Sequence, residues 1–204
     1  MTEIERRLAA LNIVLPAATA PAANYVPYVA SGNLLYLSGQ LPMKDGKLAC
    51  VGKLGGELSI EDGYAGARLC AINLMVQIKA AVGDLARVRR IVRLGGFVNS
   101  TPSFVDQPKV INGASDLFVE VFGDAGRHAR SAVACPSLPF GAGVEVDAVV
   151  EVDGRPRPPR KPGDRASRPP TGDLHSPYMR SHVTGSLADA DQAFVQGTPR
   201  DMRS

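Results

Sequence analysis

Residues 144 to 152 read VEVDAVVEV, and this stretch restricts the fold more than any other in the chain. Successive side chains of a strand point to opposite faces, so Val144, Val146, Ala148, Val150 and Val152 share one side while Glu145, Asp147 and Glu151 share the other. Such a strand belongs to a sheet with one apolar face that must be covered and one mixed face that can be left to solvent or to a partner. The chain has to supply the covering layer itself.

Two stretches have the period to do so. Across residues 59 to 82, Ala67, Ala71, Leu74, Ile78 and Val82 fall on one helical stripe, with Ser59 placed to cap and Gly83 to stop. A second helix is expected from about Asp106 to Phe122, burying Val110, Ala114, Leu117, Phe118 and Val121 and ending at Gly123. Around them lie β-prone runs. YVPYVA and LLYLSGQLP flank a Ser-Gly-Asn turn, MKDGKL holds an Asp-Gly turn, and VRRIVRLGGFVNS reads as a strand whose Gly95 and Gly96 leave room for a close approach. HARSAVACPSLPFGAGVEVDAVVEV reads as two strands joined by a Pro/Gly connection, a closing hairpin. The order ββ, α, β, α, ββ makes an α+β sandwich, one sheet with two main helices over one face.

The opening residues, 1 to 20, read as an amphipathic helix and lead-in, because Ile4, Leu8 and Leu11 recur at helical spacing. Glu3 and Glu5 argue against the basic start of a secretory signal, and Asn12 interrupts the apolar run. No apolar run approaches the ~18 residues a membrane helix needs, so no membrane partner is expected. Residues 1 to 154 form the expected domain. Residues 155 to 204 hold half of the sixteen prolines and nine Lys/Arg against five Asp, so they read as a disordered Pro/Arg-rich tail that carries the basic charge. Three cysteines without metal or disulfide spacing point to a reducing, cytoplasmic setting.

Arg130 and Glu145 stand out as charges inside otherwise apolar strands. From the bare residues each has an ordinary reading, a surface or interface ion pair for Arg130 and a solvated strand face for Glu145. No Gly-x-Ser-x-Gly, metal-ligand cluster, dinucleotide fingerprint or P-loop occurs, so an enzyme built on this chain is expected to work without metal or cofactor.

Three blocks in order, NYVPYVASGNLLYLSGQLP, FVNSTPSFVDQPKVINGASDLFVEVFG and HARSAVACPSLPFGAGVEVDAVVEV, resemble the RidA/YjgF family of reactive-intermediate deaminases over about residues 20 to 153. The resemblance is closest to a longer bacterial branch bearing an N-terminal helix. It implies a chorismate-mutase-like fold, a homotrimer with clefts between subunits, and hydrolysis of 2-imino acids or their enamines to 2-keto acids and ammonia. It further implies Arg130 as carboxylate anchor, Glu145 as proton acceptor, and Tyr28 with its hydroxyl near the substrate. Ser38 and Gly39 match the turn bordering the pocket, and Asn112 matches the helix asparagine near the subunit contact. At Ala132 many relatives have cysteine, which leaves two readings: a contribution through the backbone, which alanine keeps, or one through the thiol, which this chain lacks there. Two alternatives stay open: a non-catalytic trimer that binds or senses small carboxylates, and an RNA-related activity. Nucleic acid is not an expected partner: the cluster Arg87, Arg89, Arg90 and Arg93 reads as a solvated helix-to-strand connection, and support for RNA binding is limited to the basic tail.

Overall fold

The computed structural model describes residues 1–18 and 25–159. Residues 160–204, which hold most of the expected tail, and residues 19–24 lie outside the described residues.

Helix α1 (Glu3–Ala10) opens on a capping box, in which Thr2 accepts from the Glu5 amide and Glu5 accepts in return from the Thr2 amide. Strands β1 (Tyr28–Ser31) and β2 (Leu34–Gln40) form the hairpin expected around Gly32, whose φ of 60° suits a glycine. The short strands β3 (Met43–Lys44) and β4 (Lys47–Leu48) pair across Asp45 and Gly46, both left-handed as a two-residue hairpin requires. Helix α2 (Ile60–Val82) starts at Ser59, again with a capping box, and stops at Gly83. Strand β5 (Val88–Asn99), helix α3 (Gln107–Phe122), strand β6 (Ala129–Cys135) and strand β7 (Val144–Val152) complete the chain order.

The main sheet runs β1-β2-β7-β5-β6, and every pairing is antiparallel except β5 with β6. The last two strands therefore do not form the expected closing hairpin, because β5 lies between them. The Pro/Gly connection between them is a crossover past β5, with a 3-10 turn at Pro139–Gly141, rather than a tight turn. The sheet is mixed for the same reason: β5 reaches β6 through α3, and a connection containing a helix returns in parallel.

Burial along β7 alternates as its sequence requires, with Val144, Val146, Ala148, Val150 and Val152 under the helices. The stripes of α2 and α3 fill the other side of the core, and Phe118, Leu74, Ile78 and Leu117 are fully enclosed. Each such side chain contributes roughly 1.5–3 kcal/mol on burial. The two helices approach closely at Gly113, where a Cβ would stand 2.0 Å from the Tyr64 carbonyl oxygen. Helix α2 is long and apolar enough to cross a membrane by length and composition, with mean hydropathy 1.3, but 61% of that window is buried inside this domain. It is the core helix of the sandwich.

Gly95 and Gly96 show how the two faces are divided. A Cβ on Gly95 would meet the Asp147 carboxyl on the open face, and one on Gly96 would meet Ile111 of α3 on the covered face. The room expected there is filled by side chains from two directions. Beyond Gly154 the chain stays on the body: the Arg157 amide donates to the Ala81 carbonyl at 2.8 Å.

Candidate active site

Register fixes where each candidate residue can point. Tyr28, Leu37, Ala148, Leu94 and Arg130 form one row across all five strands. Their side chains share the helix-covered face, since Leu37, Ala148 and Leu94 are buried core. Tyr28 and Arg130 thus occupy the two opposite edges of the sheet, about 19 Å apart at four strand spacings. Glu145 pairs with Phe97 and lies on the open face. Within one chain Arg130, Glu145 and Tyr28, the expected anchor, proton acceptor and cleft tyrosine, do not converge.

They fall instead into separate groups. On edge strand β6, Arg130 reaches back to α3, and its Nη1 donates to Asn112 Oδ1 at 2.8 Å and to Ser115 Oγ at 2.9 Å. Guanidinium nitrogens only donate, so both hydrogens of Nη1 are taken. The other edge, Nε with Nη2, makes no hydrogen bond or ion pair among the described residues. That edge is the planar fork that fits a carboxylate with two parallel bonds. Ala132, two residues along, lies opposite Gly96 and packs partly buried against the core. Cys135 lies opposite Asn99, and its odd position puts it on the other face from Arg130 and Ala132.

The second group is at the β2 bulge. The register between β2 and β7 slips between Leu37 and Gln40, so Ser38 and Gly39 form the irregular step. Ser38 is tied back to the segment before β1, its amide donating to the Pro27 carbonyl at 3.0 Å and its hydroxyl to the Val26 carbonyl at 2.8 Å. Gly39 makes room for Glu145. A Cβ there would sit 1.9 Å from Glu145 Oε1. The Glu145 carboxyl, partly buried, makes no hydrogen bond or ion pair among the described residues, and its pKa is raised, first by burial and then by the Asp147 charge. Asp147 itself is held, accepting from the Gly95 amide at 2.9 Å and facing Arg93 at 3.5 Å. A raised carboxyl without partners is what a proton acceptor needs to be basic enough to work.

Tyr28 stands apart from both groups. Only 3% exposed, it donates its hydroxyl to the Pro158 carbonyl at 3.3 Å. It lines a cleft of about 590 Å³ with residues after α1, the last turns of α2 and Arg157. Neither Arg130 nor Glu145 lines this cleft.

Sequence reasoning gave Ser115 no role, and set aside His128, the one histidine of residues 1–154, for want of a Gly-x-Ser-x-Gly motif. Ser115 follows Asn112 by three residues on α3, a spacing that puts both on one helix face. His128 precedes Arg130 by two on the same strand side. Those spacings could have grouped them.

The family model described as "YjgF/chorismate_mutase-like, putative endoribonuclease" matches residues 5–152. The chain belongs to the YjgF family. The match spans the main sheet, α2, α3 and most of α1, and the mixed sheet with helices on one face is the YjgF-like fold expected from the sequence. Among curated relatives, protein TCP17 of Trypanosoma cruzi is 54% identical over 151 residues, covering 74% of this chain and 94% of that protein. The crystal structure of Atu1372 from Agrobacterium tumefaciens, a protein of unknown function, is similar at 53% identity with TM-score 0.70, covering 74% of this chain and 93% of that one. A Shewanella oneidensis protein described as a putative endoribonuclease is similar at 40% identity with TM-score 0.71, covering 73% and 99%.

Proposed function

We propose that this YjgF-family chain hydrolyses small 2-imino acids, or their enamine tautomers, to 2-keto acids and ammonia. In this reading the site is assembled between copies of a homotrimer. Arg130, Asn112 and Ala132 come from one copy, and Glu145, Ser38 and Gly39 from another; Tyr28, on the covered face of its own copy, stays outside the reacting group.

The observation that carries the reading is the state of Arg130. Its guanidinium is held by two uncharged acceptors rather than by an acid, and its Nε/Nη2 edge makes no hydrogen bond or ion pair among the described residues. Such a group is suited to a substrate carboxylate, in a charge-assisted pair that contributes roughly 1.5–3 kcal/mol. Placement of Glu145 on the opposite sheet face supports the need for a second copy, because no rotation within one chain brings the two together.

The chemistry then follows from the groups. The protonated imine carbon is already electrophilic, so the reaction asks for no metal or cofactor. Water adds to that carbon as Glu145 takes one of its protons. The Glu145 proton is then delivered to the amine nitrogen, the C–N bond breaks with its electron pair leaving on ammonia, and the carbinol oxygen releases its proton to form the ketone. Ser38 and Gly39 border the reacting atoms, and Gly39 lets the Glu145 carboxyl lie over the bulge. Buried thiols at Cys50 and Cys70 fit a reducing cytoplasm, where PLP-dependent dehydratases release such imines.

The test couples the purified full chain to a threonine or serine dehydratase and follows keto-acid formation. Acceleration by wild type, lost in Arg130→Lys with the oligomer intact, supports the reading. No acceleration overturns it. Binding of 2-ketobutanoate without turnover would leave a non-catalytic carboxylate binder, a reading favoured by the small, core-packed Ala132. RNA work has less support in the described residues, where Arg89 faces Asp153 at 3.2 Å and Arg93 faces Asp147 at 3.5 Å.

A further inference from the structure

Arg130 is the last donor-bearing group of a longer chain of hydrogen bonds. Ser115 Oγ lies 3.0 Å from His128 Nε2, and His128 Nδ1 lies 2.6 Å from the Gly126 carbonyl oxygen. A carbonyl only accepts, so Nδ1 carries the ring proton and Nε2 is left as an acceptor. Ser115 has a single hydrogen. Because Arg130 can only donate to its oxygen, that hydrogen is left for His128. The direction is therefore fixed from end to end: Arg130 to Ser115, Ser115 to His128, His128 to the Gly126 carbonyl. Asn112 supplies the second acceptor and must present its Oδ1 for the same reason.

We propose that Ser115 and His128 are positioning residues, which lock the rotation of the Arg130 guanidinium so that its Nε/Nη2 edge is presented to an anionic small ligand. The proposal rests on the reading of Arg130 as the carboxylate anchor. Neither residue touches the ligand in it.

The packing around His128 suits that task. One ring contact is with Phe118 of α3, with centroids 6.3 Å apart in an edge-on arrangement, and the imidazole is partly buried. Burial lowers its pKa, the Gly126 hydrogen bond opposes that and the Arg130 charge adds to it, so the net shift is downward and favours the neutral ring that the geometry requires. The chain neighbours Asp124 and Arg127 pair with each other at 3.2 Å and leave the relay alone. Without this relay a long, flexible arginine on an edge strand would lose rotamer freedom on binding, which weakens association.

The experiment uses the full chain with arginine labelled at the guanidinium nitrogens. Magnetic resonance reads whether the two Nη groups of Arg130 give separate signals or one averaged signal, with Arg130→Lys supplying the assignment. Calorimetry with 2-ketobutanoate reads affinity. Separate signals are expected in wild type, and averaging is expected in Ser115→Ala and His128→Leu. Affinity should fall about three- to tenfold in both, the loss of one ordinary hydrogen bond. Ser115→Thr, which keeps the hydroxyl, and His128→Gln, which keeps an acceptor near Nε2, should restore separate signals and affinity. A general packing defect would not be repaired in this way. Unchanged signals and affinity in both Ser115→Ala and His128→Leu would overturn the proposal. If Arg130→Lys binds 2-ketobutanoate as wild type does, the anchor reading fails instead. In that case, or if wild type binds none, separate signals that collapse in Ser115→Ala still support the relay, and signals that do not collapse overturn it.

Discussion

Gly39→Ala tests the proposed chemistry at one atom. An added Cβ would stand 1.9 Å from Glu145 Oε1, 2.8 Å from its carboxyl carbon and 3.1 Å from Cγ. Ordinary contacts start above ~3 Å, so the carboxyl must retreat by over ~1 Å, and displacement on that scale costs about 100-fold in rate. The backbone has no reason to object, since Gly39 is not among the glycines with a left-handed φ. The colliding atoms are the flexible end of a side chain on the open face. Stability should therefore change by no more than about 0.5 kcal/mol, as for ordinary surface changes. The assay is keto-acid release in the dehydratase-coupled system, with a urea melt on the same samples. Glu145→Gln should lose about 10²–10⁴-fold, the usual worth of a positioned general base. Adding Gly39→Ala to Glu145→Gln should cost little more, because both act on one group. Full activity in Gly39→Ala, or a loss that multiplies that of Glu145→Gln, would refute the placement of the proton acceptor.

Glu145 accepts a proton only when ionised, so kcat/KM should fall on acidification, with its limb above the ordinary carboxyl value of 4.5, and Asp147→Asn should move that limb down. A limb that ignores Asp147→Asn counts against the assignment. Because the folded state raises this pKa, ionised Glu145 opposes folding; Glu145→Gln should raise the urea midpoint at pH 7, and the gain should disappear below about pH 4. Gly113→Ala places a Cβ 2.0 Å from the Tyr64 carbonyl oxygen, a backbone atom that cannot swing aside. It should cost about 1–3 kcal/mol, read as a lower urea midpoint. Ser59→Ala removes the hydroxyl that caps α2 and should cost about 1 kcal/mol in the same melt.

The elements were legible in the sequence where local rules act alone. Ser59 and Gly83 bound α2 and Gly123 ends α3, because capping and a left-handed stop are decided within a few residues. The alternation of β7 announced both faces of the sheet. The pairing of the last two strands was not legible. Whether β6 turns back onto β7 or crosses to the far side of β5 depends on contacts between β5 and α3 some thirty residues away. Gly96 and Ile111 provide one such contact, and neither residue carries that information by itself.

The candidate site divides along the same line. Motif resemblance selected Arg130 and Glu145 together, and alternation alone makes both look like charges set into strands. Only the order β7-β5-β6 decides that one belongs to the covered face and the other to the open face. Had β6 and β7 been a hairpin, Arg130 and Glu145 could have been neighbours and one chain could have held a complete site. With β5 between them, the proposed anchor and the proposed proton acceptor lie on different faces of one chain, and the proposed site needs a second copy. The open face that carries Glu145 also leaves Val29, Tyr36 and Val133 about half exposed, which suits it to cover by another copy. If a monomeric variant, made by placing charge at Val133, retained full turnover, the two-copy site would be wrong whatever the fate of the single-residue tests.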